Sequence, residues 1–99
     1  MLSIEKKTDG SELTVTLSGR LDTTTAPELE GELKDSMDGV SALTIDMAGL
    51  GYVSSAGLRV LLTAFKTMRN KGKMKVTNAN ELVKEVFEVT GFSSFLPIE

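Results

Sequence analysis

Tyr52-Val53-Ser54-Ser55-Ala56-Gly57-Leu58 joins two segments of different hydrophobic period. Upstream, Leu43, Ile45 and Met47 alternate with Ala42, Thr44 and Asp46, the period of a strand with one buried face. Downstream, Leu58, Leu61, Leu62, Phe65 and Met68 recur at helical spacing, and Arg69, Lys71 and Gly72 supply the charges and stop signal of a helix end. The helix is expected from Ser55 to about Lys71. The two serines therefore stand at a helix N-terminus, where backbone N–H groups lack intrahelical acceptors and the helix dipole is positive. A serine hydroxyl there caps the helix. A phosphate on that hydroxyl is also favoured by the same N–H groups and dipole. One serine suffices as a cap, and this turn has two.

Working outward toward the N-terminus, Leu13, Val15 and Leu17 alternate with Thr14, Thr16 and Ser18, and Ser3 to Thr8 reads as a shorter strand. Asp9-Gly10 marks the turn of an antiparallel hairpin whose loop is expected to exceed two residues. Gly19 is expected to end the second strand, and Arg20 to Thr25 reads as a polar loop. Thr25 and Glu28 match a capping box, with Pro27 in the first turn. Leu29, Leu33 and Met37 form one apolar helix stripe, Gly39 a C-terminal stop, and the acids between them a solvated face. Ala48-Gly49-Leu50-Gly51 reads as a flexible loop. Toward the C-terminus, Met74 to Thr77 is a short strand and Asn80 an N-cap for a helix from Glu81 to Thr90. Leu82, Val83, Val86 and Phe87 are expected to face inward. Gly91 stops that helix. Phe92, Phe95, Leu96 and Ile98 form an apolar tail expected to close over the core, with Pro97 limiting its last turn.

The expected order is β-β-α-β-α-β-α in one α/β domain spanning residues 1–99. It holds a four-stranded mixed sheet with an N-terminal antiparallel hairpin, three main helices and a short C-terminal turn. The β-α-β units imply parallel strands. Ninety-nine residues suit a single core. A net charge of −3 leaves no basic footprint for nucleic acid, and no run of about 18 apolar residues offers a membrane span. The chain has no cysteine and no histidine. Disulfides, the usual zinc sites, and Ser-His-Asp or Cys-His catalysis are thereby excluded. No cofactor or metal is expected. With no signal-peptide pattern at Met1 to Glu5, a cytoplasmic location is expected.

Three short stretches in this order resemble the STAS domain family, and within it the bacterial anti-sigma-factor antagonists. They are Gly19-Arg20-Leu21-Asp22-Thr23-Thr24-Thr25, Ser54-Ser55-Ala56-Gly57-Leu58 and Thr90-Gly91-Phe92. The resemblance spans nearly the whole chain and implies a STAS-like fold. It further implies a partner-switching mechanism. The unmodified domain binds an anti-sigma factor that is itself a serine kinase; this frees the sigma factor for transcription. Phosphorylation then breaks the complex, and a serine phosphatase resets it. By resemblance the phosphorylated residue is Ser55. The position before it, often Asp in the family, is Ser54 here, which makes Ser54 the neighbouring rival. Asp22 matches a loop aspartate that lies close to the partner surface. The expected partner surface is Asp22, Thr23, Leu50, Tyr52, Ser54, Ser55, Gly57 and Leu58. Gly57 is equally well explained by close packing of helix on strand, and Arg59 by solvation of the helix or by charge offered to a phosphate.

Other functions compete with this one. A STAS-like docking module of a signalling or lipid-transport assembly would use the same turn without phosphorylation. Asp46, near a strand C-terminus, is placed as functional carboxylates in α/β folds often are. A phosphoacceptor would also need a second carboxylate, for which Asp22 is the candidate, and a positioned lysine. Gly49, Gly51 and the serine N–H groups form a third, ligand-binding possibility, although their spacing matches no phosphate loop.

Overall fold

Strand-period alternation in Leu13–Leu17 and Leu43–Met47 turns one apolar face of each segment inward, and the two segments lie side by side at the centre of the sheet. The computed structural model describes residues 1–99. In chain order it consists of β1 (Leu2–Asp9), β2 (Glu12–Leu21), α1 (Ala26–Ser36), β3 (Ala42–Val53), α2 (Ser55–Arg69), β4 (Lys73–Thr77), α3 (Glu81–Val89) and a 3-10 turn (Phe92–Ser94). The sheet order is β1-β2-β3-β4. β1 and β2 are antiparallel, and β2-β3 and β3-β4 are parallel. This is the expected mixed sheet with its N-terminal hairpin.

The helices cover the sheet face that carries Val15, Leu17, Ile45 and Val76, all fully buried. The opposite face carries the half-buried Thr14, Thr16, Thr44, Asp46, Lys75 and Thr77. The apolar side chains form one core, in which Phe87, Leu61, Met68 and Leu29 have no exposed surface. The tail closes over that core as expected. Leu96 is buried, and the rings of Phe65, Phe95 and Phe92 follow one another at 5.1 and 5.2 Å. Beyond it, the Val76 N–H donates to the Pro97 carbonyl (2.9 Å) and the Glu99 N–H to the Val76 carbonyl (2.8 Å). These bonds cover the β4 edge, which would otherwise present unpaired backbone groups.

Four expectations are corrected. The hairpin loop has two residues, since Asp9 pairs with Glu12. Gly10 takes φ +63° and Ser11 does not turn positive, the pattern of a type II′ turn. Second, β2 runs past Gly19 to Leu21, so Arg20 and Leu21 belong to the strand. Third, β3 runs past Met47 to Val53, so Ala48-Gly49-Leu50-Gly51 is strand rather than loop. The reason is a pair of bulges. Thr16 pairs with Asp46 but Ser18 with Gly49, and Gly19 pairs with Leu50 but Arg20 with Tyr52. Each step inserts one extra residue in β3. Its buried positions therefore fall at Met47, Leu50 and Val53, three apart, and the two-residue period disappears while the ladder continues. Finally, Leu82 is not inward but 56% exposed. Asn80 sets the rotation of α3: its Oδ1 accepts from the Val83 N–H (2.8 Å), and its Nδ2 donates to the Leu50 carbonyl (3.1 Å). Val83 and Phe87 then face the sheet, and Leu82 turns away.

These positions give opposite expectations for two leucines. Leu50→Ala should cost about 2–5 kcal/mol, as for other buried leucines, whereas Leu82→Ala should stay within about 0.5 kcal/mol of wild type. Urea denaturation of the two variants measures both.

Candidate functional site

The site is set by where two parallel strands end. β2 and β3 pair through their last residues, Leu21 with Val53. The Ser54 N–H then donates to the Leu21 carbonyl at 2.8 Å. The two turns that follow, Asp22-Thr25 and Ser54-Ser55, therefore leave the sheet side by side at the C-terminal ends of the strands. Local sequence does not specify this neighbourhood. It follows from the parallel register.

The Asp22 turn is held by its own side chains. Asp22 Oδ1 accepts from the N–H groups of Thr24 (3.0 Å) and Thr25 (3.1 Å). The Asp22 N–H donates to Thr25 Oγ1 (2.9 Å), whose hydrogen is shared between the Arg20 carbonyl (2.8 Å) and Asp22 Oδ1 (3.2 Å). Thr25 is the one polar residue in the buried set, which these bonds explain. The capping box expected from Thr25 and Glu28 is not formed, because Thr25 itself has helical angles and makes no side-chain cap bond. Its hydroxyl is committed to the turn before the helix. The Thr25 N–H above all, then the Thr25 hydroxyl and the Thr24 N–H, hold the Asp22 carboxyl below the usual aspartate range, against an opposing effect of burial.

The two hydroxyls of the serine turn are not equivalent. Ser54 has extended backbone angles, and its Oγ accepts from the Gly57 N–H at 3.4 Å, so it is the N-cap of α2. Ser55 is the first residue of α2, its side chain is exposed, and it takes no part in the cap. Gly57 lies against β2: a Cβ there would stand 2.6 Å from Leu21 Cγ and 3.2 Å from the Leu21 carbonyl oxygen. Of the two explanations for this glycine, the structure supports close helix-on-strand packing.

The expected surface residues divide accordingly. Asp22, Thr23, Tyr52, Ser54 and Ser55 come together at this end of the sheet with solvent-accessible side chains. Leu50 and Leu58 do not join them, being 1% and 7% exposed; the first bulge and the helical stripe turn them into the core, and Gly57 is buried with them. Arg20, which no local pattern marks, joins this surface. Its guanidinium carbon lies 4.4 Å from the Tyr52 ring centroid, and its Nε is 3.7 Å from Asp22 Oδ2. Only the bulged register, which sets Arg20 opposite Tyr52, brings these residues together. Asp46 serves the scaffold, because its Oδ1 accepts from the Ala48 N–H and from Asn78 Nδ2, both at 3.0 Å. Gly49 and Gly51 lie in β3 and do not form a ligand loop.

The model of the family described as "STAS domain" matches residues 3–99, and the chain belongs to that family. It is 38% identical over 94 residues to a Bordetella bronchiseptica protein named "Putative anti-sigma factor antagonist BtrV", covering 93% of this chain and 80% of that one. In fold it is similar to an anti-sigma factor antagonist from Mycobacterium paratuberculosis, with a TM-score of 0.90 and 22% identity over 99% of this chain and 85% of that one. It is also similar to the Bacillus cell fate determinant SpoIIAA in its phosphorylated form, with a TM-score of 0.77 and 14% identity over 98% of this chain and 91% of that one. No helix is long and apolar enough to cross a membrane.

Two variants test the local physics. Asp22 has a lower pKa folded than unfolded, so its charged form contributes stability above the unfolded value, and that contribution is lost as pH falls through the folded value. Thermal melts should show wild type above Asp22→Ala at pH 7, with the gap closing below about pH 4. Gly57→Ala should lower stability by about 1–3 kcal/mol in urea titrations, because the new methyl meets Leu21.

Proposed function

We propose that this chain is an anti-sigma-factor antagonist that regulates sigma-factor-dependent transcription in the cytoplasm. Its unphosphorylated form binds an anti-sigma factor that is also a serine kinase. Phosphorylation of Ser55 by that kinase ends the complex, and a serine phosphatase restores the binding form. The chain serves as ligand and substrate in this cycle, not as catalyst. The observation that carries the reading is the difference between the two serines. Ser54 is tied to the Gly57 N–H as a cap, which leaves Ser55 exposed and unengaged on the first turn of α2.

The partner surface in this reading consists of Asp22, Thr23, Tyr52, Ser54 and Ser55, with Arg20 added beside Tyr52. Leu50, Gly57 and Leu58 support it from beneath. Membership of the STAS family and similarity to proteins named as anti-sigma factor antagonists support the choice of partner. The chemistry supports the switch. A phosphoserine adds about −1.5 to −2 charges near neutral pH. At a helix N-terminus that charge does not disturb the isolated domain. In a close interface it must be desolvated, and a penalty of about 3 kcal/mol weakens binding more than a hundredfold. No refolding is required.

The test is incubation of the chain with its candidate anti-sigma kinase and ATP, followed by intact mass and site mapping, with Ser55→Ala alongside. One phosphate on wild type and none on the variant is expected, together with loss of kinase affinity after modification. Phosphate retained on Ser55→Ala would move the site, with Ser54 as the first candidate. Stable binding with no phosphate on either protein would make the chain a constitutive docking module.

A further inference from the structure

We propose that Arg59 clamps the phosphate of phosphoserine 55 within α2, an inference that rests on Ser55 being the modified residue. Both side chains are exposed, and they stand four residues apart on a continuous 15-residue helix. Residues at that spacing lie one above the other on the same helix face. Helical side chains lean toward the N-terminus, so an arginine at the later position reaches back over the earlier one. An anion preceding a cation by four residues is also the favoured orientation, because it agrees with the helix dipole.

The charges around Arg59 point the same way. α2 contains no Asp or Glu, so Arg59 has no acidic neighbour along its own helix. The side-chain ion pairs of the chain are Lys6–Glu32, Arg20–Asp22 and Lys75–Glu99, and Arg59 belongs to none of them. On the adjoining turn, Arg20 is held by Asp22 and by the Tyr52 ring. That leaves Arg59 as the unengaged cation on the exposed face of α2 nearest Ser55. Its four-residue neighbour toward the N-terminus is Ser55, which gains a negative charge only on phosphorylation. A planar guanidinium matches the phosphate oxygens with two parallel N–H donors, which a lysine does not reproduce. Ser54 has no such neighbour: four residues on lies Leu58, which is buried. The clamp therefore distinguishes the two serines. It fixes the phosphate over the first turn of α2, within the docking surface.

The experiment uses the full chain with phosphoserine installed at position 55 by genetic encoding, so that it does not depend on any kinase. Phosphorus NMR titration at low salt reads the second phosphate pKa in wild type, Arg59→Lys and Arg59→Ala. The clamp predicts the lowest value in wild type, an intermediate value in Arg59→Lys and a value higher by about 0.3 pH units or more in Arg59→Ala. It also predicts that the difference shrinks in about 1 M salt and that the Arg59 Nε–H signal shifts between the serine and phosphoserine forms. Equal pKa values in wild type and Arg59→Ala, with an unmoved Arg59 signal, would overturn it. Arg59 is exposed and alanine favours helix, so the variant is expected to fold. If a cognate kinase fails to modify Ser55 while the encoded phosphoserine shows these shifts, the kinase reading falls and the clamp stands.

Discussion

The parallel pairing of β2 with β3 through Leu21 and Val53 is the constraint on which the rest of this molecule depends. It brings two turns, 32 residues apart in sequence at Asp22 and Ser54, to one end of the sheet, and the Ser54–Leu21 backbone bond joins them directly. The pairing is not regular. β3 carries two extra residues, and without them the ladder could not keep its apolar side chains inward while ending in register with β2. The bulges bury Leu50 and Val53, set Tyr52 opposite Arg20 and deliver Ser54 in the extended conformation an N-cap requires.

Satisfied polar groups tie this end together above the buried Leu21, Leu50, Val53 and Leu58. Asp22 and Thr25 close their turn through reciprocal bonds between side chain and backbone. Asn80 caps α3 and at the same time holds the Leu50 carbonyl, so the third helix is tied to the strand that leads into the serine turn. Asp46 and Asn78 anchor the first bulge from the other side. A partner meeting this surface would find it already ordered, which lowers the entropic cost of docking. A charge added to Ser55 would then act on association by electrostatics, with the scaffold unchanged.

Much of this is legible in the residues. The strand-period alternation of β2 and the first half of β3, the helical stripes of α1 and α2, the Asn80 cap and the apolar tail all follow from local pattern, because each element buries one face against a common core. The serine turn is legible as a helix start for the same reason. The second half of β3 is not, since a bulged strand changes its burial period and resembles a loop. The outward rotation of Leu82 is hidden too: five apolar residues in a nine-residue helix do not say which will face the sheet. Thr25 illustrates a local signal overridden, where the hydroxyl of a matching capping pattern is instead engaged by the Asp22 N–H and the Arg20 carbonyl.

The sequence by itself determined the element order, the single apolar core and the position of two hydroxyls at a helix N-terminus, because these depend on periodicities and end signals written into neighbouring residues. Tertiary structure alone decided which serine caps and which stays exposed, that Gly57 is small because Leu21 packs on it, and that Arg20, Tyr52 and Asp22 form one surface with the serine turn. Those outcomes depend on the register between strands distant in the chain, and register is settled by which side chains the whole core can bury together.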